Sequence, residues 1–348
     1  MKIADLFAGV GGMSEGFRLA GFDVQFAIEY DTEIANAYQL NHRSTEMIAR
    51  DICTIDVGSL FRRFQDVDVI VGGPPCQGFS QKGKRLSIND SRNYLFQQFV
   101  RFVKEFRPKY FVLENVPTII TTGNGFFKDQ IVSEFSKLGY EVTYGILCAA
   151  DYGVPQDRHR AIFLGQQGHL EITLPPAKDI LTTVKDAIYD LPFIHSGEGT
   201  EVCEYDKSPT TPYQKLMREG SALLYNHVAT AHSEVALRRL SMIPKGAGRE
   251  VLPQEERTKS IYSGTWSRMI EDGISVTITT RFDTPSSGRF THPFLDRCIT
   301  TREAARIQSF PDTFRFYGTK TSQMKQVGNA VPPLLAKAIA EQIKNNEI

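Results

Sequence analysis

Cysteine is scarce in this 348-residue chain: five residues, Cys53, Cys76, Cys148, Cys203 and Cys298, with no two in a Cys-X-X-Cys pair. An odd count without paired spacing argues against a disulfide framework or a zinc knuckle and fits a reducing compartment. No apolar run approaches the roughly 18 residues that a membrane-spanning helix needs. The first residues show no basic stretch followed by an apolar, cleavable one. The expectation is a soluble, cytoplasmic protein with no membrane partner and no metal. Internal repeats and low-complexity tracts are missing as well. Net charge is absent, with 40 Lys and Arg against 40 Asp and Glu. Taken at face value, that balance argues against a strongly basic nucleic-acid binder.

What is present is the composition of a globular chain, 41% hydrophobic and 23% charged, which excludes wholesale disorder. The first half alternates. Short apolar runs at residues 3–7, 22–28, 67–71, 110–113, 141–147 and 160–165 read as strands. Residues 13–20, 32–40, 94–106 and 126–138 read as helices. Such alternation predicts an α/β fold, a parallel sheet covered on both faces. Near Leu174-Pro175-Pro176 the rhythm stops. Residues 176–298 are rich in Gly, Ser, Thr and Pro and read as a second, irregular domain inserted in the first. Helical patterns return at 301–309, with Thr300 or Thr301 as cap, and at 333–343. The expected organisation is therefore 1–175, 176–298 and 299–348, with the last segment rejoining the first.

Five segments carry chemistry. Phe7-Ala8-Gly9-Val10-Gly11-Gly12 joins a strand to a helix, where glycines let a ligand approach backbone amides. A nicotinamide-type Gly-X-Gly-X-X-Gly loop fails here, because Ser14 stands where its third glycine belongs. Glu29 ends the second strand, 20 residues after Gly9, the place where an acid takes a ribose diol. Asp51-Ile52 could hold an adenine edge or be an ordinary cap. Gly72-Gly73-Pro74-Pro75-Cys76-Gln77 puts one cysteine at the carboxyl end of a strand, followed by basic residues, the surroundings of a nucleophile more than of an inert core thiol. Glu114, at the tip of the apolar strand before Asn115-Val116-Pro117, could protonate or hydrogen-bond a heterocycle nitrogen, or be a cap or a salt-bridge partner. In Gln156-Asp157-Arg158-His159-Arg160, an extended chain points Arg158 and Arg160 to one face, suited to phosphate or a carbonyl, or simply solvated. Gln326-Val327-Gly328-Asn329-Ala330-Val331-Pro332-Pro333 reads as a turn entering the last helix.

The ordered set Asp5–Gly12, Gly73–Gln77, Glu114–Val116, Gln156–Arg160, Arg302–Arg306 and Gly328–Pro332 resembles the DNA (cytosine-5) methyltransferase family of bacterial or phage restriction-modification type. The resemblance runs from residue 3 to about residue 340, apart from the recognition region. It implies an S-adenosylmethionine-dependent, Rossmann-like mixed sheet with helices on both faces, plus a smaller target recognition domain. It implies S-adenosylmethionine as cofactor, S-adenosylhomocysteine as product and no metal. Carried over, Phe7, Gly9, Gly11, Glu29, Tyr30, Asp51, Ile52, Pro75, Leu95, Asn329 and Val331 bind the cofactor. Cys76 is the nucleophile on carbon 6 of a flipped-out cytosine, Glu114 holds the ring, and Arg160 holds its O2 with Arg158 close by. Ser80, Lys82, Lys84 and Arg85 lie in the family's mobile DNA-facing loop. Arg281 and Arg289, in a Gly-Ser loop after a threonine-rich stretch, are the first candidates for contacts in the recognition domain, although such arginines can equally hold phosphates. The implied partners are double-stranded DNA and a cognate restriction endonuclease; a monomer, associated with the nucleoid, is expected. A transfer-RNA-acting relative and a catalytically silent DNA binder on the same fold are the rival readings. Gly78-Phe79-Ser80 disfavours the first, and intact Cys76, Glu114 and Arg160 disfavour the second.

Charge by segment then revises the opening balance. Residues 76–107 hold 7 basic and 2 acidic side chains, and residues 238–268 hold 7 and 3. Residues 1–72 hold 6 basic and 11 acidic, and residues 179–206 hold 1 and 7. The zero is a cancellation between regions, with positive charge around the expected nucleophile and in part of the recognition domain, where phosphates would pass.

Overall fold

Ile3, Ala4 and Leu6 are fully buried, as are Val69 to Val71 and Phe111 to Leu113. Strands apolar on both faces must lie inside a sheet covered on both sides. The computed structural model, which describes residues 1–75, 94–168, 172–259 and 263–347, places them so. Along the chain run β1 (Lys2–Leu6), α1 (Gly12–Leu19), β2 (Asp23–Glu29), α2 (Thr32–Asn41), β3 (Glu46–Ala49), α3 (Val57–Arg63), β4 (Val69–Gly72), α4 (Tyr94–Phe106), β5 (Tyr110–Asn115), α5 (Thr118–Thr121), α6 (Phe126–Ser136), β6 (Tyr140–Cys148), β7 (Gln156–Asp157) and β8 (His159–Gln167). Then follow α7 (Val184–Ile188), β9 (Gly199–Cys203), α8 (Pro212–Arg218), β10 (Leu224–Val228), α9 (Glu234–Ser241), β11 (Ser275–Val276), α10 (Thr301–Ile307), α11 (Lys320–Asn329) and α12 (Pro333–Asn346). Among the described residues no helix is long and apolar enough to cross a membrane.

Contacts divide the chain into two units. The first comprises residues 1–152, 159–178 and 333–348; the second comprises 153–158 and 179–332. In the first, seven strands pair in the order β3-β2-β1-β4-β5-β8-β6. Neighbours from β3 to β5 are parallel, and β8 is antiparallel to both β5 and β6. Alternation alone pointed to an all-parallel sheet. The last pair departs from it because β6 and β8 are joined by only ten residues without a crossover helix, a link that suits antiparallel neighbours. Helix α4 explains its own docking: Phe99, Phe102, Val103 and Phe106 recur at helical spacing and all are buried. They pack in an aromatic core, Phe111 stacking on Phe135 at 3.9 Å between ring centres.

The second unit holds little sheet. Its helices start on side-chain caps, with reciprocal boxes at Thr183/Asp186, Thr211/Gln214 and Thr300/Glu303. It contains a small apolar cluster of Leu240, Ile243, Leu252 and Trp266. Buried arginines do much of the joining. Arg306 pairs with Asp312 at 2.6 Å and Asp190 at 3.0 Å, and Arg297 grips Glu303 through two 2.8 Å bonds. The ties hold α10 in the second unit, which also contains α11, and the chain re-enters the first at Pro333, not at residue 299.

Re-entry depends on a glycine. Helix α12 packs on α1, and a Cβ at Gly16 would collide with the Cβ of Ala336 while standing 2.5 Å from the Pro333 carbonyl and 2.7 Å from the Lys337 amide. Alanine is the better helix former by roughly 1 kcal/mol, but backbone atoms cannot yield. Gly16→Ala is expected to destabilise the protein by about 1–3 kcal/mol in chemical denaturation; an unchanged or raised midpoint would contradict this packing.

Candidate active site

The turn after β1 lies at the carboxyl edge of the sheet. Phe7 (φ 58°), Gly9 (φ 55°) and Gly11 (φ 97°) all take left-handed backbone. At Gly11 no side chain fits, since a Cβ would lie 2.6 Å from His42 Nε2 and 2.8 Å from the Tyr38 ring. The Gly9 amide donates to Glu29 Oε2 at 2.9 Å, while Glu29 Oε1 accepts from the Tyr30 and Asp31 amides, each at 2.9 Å. Burial raises the Glu29 pKa, and the three amides oppose that rise. Beneath the turn, Ser14 Oγ donates to Asp5 Oδ2 at 2.6 Å and lies 2.8 Å from Tyr38 Oη. Ser14, the residue that breaks the nicotinamide pattern, is thus an internal strut.

The expected cofactor residues of the first unit line this edge. Tyr30 is 76% exposed and can offer its ring face. Asp51 accepts from the Cys53 amide at 2.9 Å, which holds its carboxyl below the usual range. Ile52 is buried, its carbonyl taken by Arg101 Nη2 at 2.8 Å. Leu95 packs half-buried on the core, and Pro75 is exposed. A Cβ at Gly9 would meet nothing within 4 Å. Open space above the turn, a carboxylate fixed by three amides and an exposed ring fit an adenosine-bearing cofactor.

The other group converges at the ends of β4, β5 and β8. Glu114 pairs with Ile162 and Asn115 with Ala161 across the antiparallel β5–β8 ladder, bringing the next residue of β8, Arg160, alongside. Arg160 Nε lies 2.7 Å from Glu114 Oε1, with the side chains 15% and 13% exposed. Arg160 Nη1 also donates to the His159 carbonyl at 2.7 Å. A Cβ at Gly73 would stand 2.6 Å from Glu114 Oε2, so the carboxylate rests on the turn that ends β4. Asn115 Nδ2 donates to the Pro74 carbonyl at 3.0 Å and fixes that turn. Sequence reasoning missed Asn115, although its place beside Glu114 at a strand tip was the available signal.

Other expected site residues stand elsewhere. Arg158, expected beside Arg160, is fully buried within the second unit. Its guanidinium donates to the carbonyls of Ile278 (3.0 Å), Gly328 (2.8 Å) and Ala330 (2.9 Å). Its alternation with Arg160 breaks because β8 begins only at His159. It holds the turn that carries Asn329, which is exposed, and Val331, which is buried. Arg281 is exposed and faces Asp283 at 3.4 Å; Arg289 is half-buried beside Gly264. Cys76, Ser80, Lys82, Lys84 and Arg85 lie outside the described residues.

The sheet order, with the glycine turn and fixed acid at its carboxyl edge, defines the S-adenosylmethionine-dependent methyltransferase fold. Its sequence matches C-5 cytosine-specific DNA methylase over residues 1–345. It is 43% identical to the type II methyltransferase M.DdeI of Desulfomicrobium norvegicum, covering 99% of this chain and 88% of that protein. It is 39% identical to M1.HphI of Haemophilus parahaemolyticus, covering 97% and 85%. A solved structure described as a DNA modification methyltransferase encoded within a prophage of E. coli superposes with a TM-score of 0.81 at 29% identity, covering 99% of both chains. The chain belongs to the C-5 cytosine-specific DNA methylase family and is a DNA (cytosine-5) methyltransferase of restriction-modification type.

The contrast between the two arginines is testable. Arg158→Lys replaces a three-carbonyl fork with a single point donor and is expected to cost on the order of 3 kcal/mol of stability. Arg160→Lys should change the unfolding midpoint little while lowering methyl transfer. Equal midpoints for both variants would refute the structural role of Arg158.

Proposed function

We propose that the protein methylates carbon 5 of a cytosine flipped out of a specific double-stranded DNA sequence, through a covalent adduct between Cys76 and carbon 6. The observation that carries this reading is the Glu114–Arg160 pair, a carboxylate and a guanidinium side by side against the Gly73-Pro74 turn that leads into Cys76. Bound S-adenosylmethionine supplies an electrophilic methyl group. The family and the fitting turn support it as cofactor, held by Phe7, Gly9, Gly11, Glu29, Tyr30, Asp51, Ile52, Pro75 and Leu95.

Carbon 5 of cytosine is a weak nucleophile. Addition of the Cys76 thiolate to carbon 6 leaves an enamine whose electron pair is centred on carbon 5. Glu114 accepts from the exocyclic amine and, with a proton held between its carboxyl and N3, hydrogen-bonds N3 and stabilises charge that develops on the ring, and Arg160 donates to O2. Each group then exchanges part of its mutual pairing for the base. Once carbon 5 carries the methyl group, a base removes its proton and Cys76 leaves as thiolate, restoring the ring double bond. A stacked base cannot reach such a pocket, so the target must flip. Ser80, Lys82, Lys84 and Arg85 contact DNA beside the nucleophile, and the second unit, with Arg281 and Arg289, reads the site. Because the named relatives are type II methyltransferases, we assign as partner an endonuclease of the same specificity, to a monomeric, nucleoid-associated cytoplasmic enzyme.

Cys76→Ala is expected to abolish transfer of tritiated methyl to duplex DNA while retaining DNA binding in a shift assay, and wild type should leave transfer RNA unlabelled. Residual turnover near wild type in the variant would overturn the covalent route.

A further inference from the structure

Asp5 is a carboxylate 1% exposed, in the middle of an apolar sheet. Burying a charged carboxylate without a counter-charge is costly. Among the described residues, its neighbours supply none. On α1, Ser14 gives a hydroxyl bond and a backbone amide bond, and Glu15 is held by Arg18 through bonds of 2.8 and 2.7 Å, so that cation is taken. On α2, Tyr38 lies beyond Ser14, and His42 is pushed down to about 4 by burial, so it stays neutral at working pH. On β2, Glu29 is a like charge; on β4 the register partner is Val71. Asp5 and Glu29 thus bracket the turn of residues 7–11, one beneath it and one bonded to its Gly9 amide, and Ser14 and Tyr38 link Asp5 to the ring against Gly11.

We infer that Asp5, acting through Ser14 and the glycine turn, is a positioning residue that distinguishes the sulfonium-bearing cofactor from its uncharged thioether product: the ionised form favours the first, and binding of the cation expels the Asp5 proton to solvent. The inference rests on S-adenosylmethionine as the cofactor proposed above. Cofactor and product share the adenosine and the amino-acid ends, so contacts of Glu29 with the ribose cancel between them, and the sulfonium charge is the difference. Burial, partly opposed by Ser14, raises Asp5 to about 7. A raised carboxyl is protonated below that value, so the preference for the cation should fade as pH falls through it.

Isothermal titration calorimetry of the full-length protein, with S-adenosylmethionine and with S-adenosylhomocysteine, in phosphate and in imidazole buffer, counts protons exchanged. The expected result is proton release with the first ligand in excess of the second. The affinity ratio of the two should rise between pH 6 and pH 8, by up to about tenfold for one group titrating near 7. Asp5→Asn should make that ratio independent of pH, and Ser14→Ala, which removes a bond to the carboxylate, should move its midpoint upward. Equal proton counts and a flat ratio in wild type would overturn the inference while leaving the cofactor assignment intact, and that comparison requires no variant to fold. Binding of neither ligand would overturn both.

Discussion

The antiparallel pairing of β5 with β8 is the constraint on which the candidate site depends. It sets Glu114 opposite Ile162 and thereby delivers Arg160 to within 2.7 Å of the Glu114 carboxylate. A one-residue slip in either strand would send these side chains to opposite faces of the sheet. At 13% and 15% exposure, the pair is too buried to leave either charge alone and accessible enough to exchange one partner for another. Gly73 allows the carboxylate to rest on the β4 turn, and Asn115 pins that turn through the Pro74 carbonyl. Three strands therefore contribute one residue group each to a single place.

Buried arginines tie the second unit together. Arg158, Arg297, Arg302 and Arg306 are fully buried and spend their donors on backbone carbonyls or carboxylates within the second unit. They fasten short, irregular segments that have a small apolar cluster of their own. Planar, multi-donor guanidinium groups suit that work better than ammonium groups do. Arg160 and Arg281, by contrast, keep some exposure and pair with Glu114 and Asp283.

Much of this was legible in the sequence. The strands of the first unit, the turn at Gly9 and Gly11, the strand-end Glu29 and the tip position of Glu114 followed from apolar runs that stop at glycine or at an acid. The capping threonine of α10 was readable too. Three features were not. The antiparallel end of the sheet depends on a short link whose length carries little signal. Alternation put Arg158 beside Arg160, but a three-carbonyl cradle formed by residues some 120 and 170 positions away decides where it goes. The extent of the second unit depends on long-range ion pairs, such as Arg306 with Asp190, that no local pattern announces. Local periodicity reports burial; it does not report which distant group a buried charge will choose.

In the proposed reaction Glu114 and Arg160 receive a cytosine that Cys76 attacks covalently at carbon 6. Duplex DNA carrying the target site with 5-fluorocytosine tests it most directly, because fluorine at carbon 5 cannot leave as a cation and blocks the final elimination. The account predicts a denaturation-resistant protein–DNA complex that forms only with S-adenosylmethionine and is lost in Cys76→Ala. Rapid turnover on the fluorinated site with no trapped complex would contradict it.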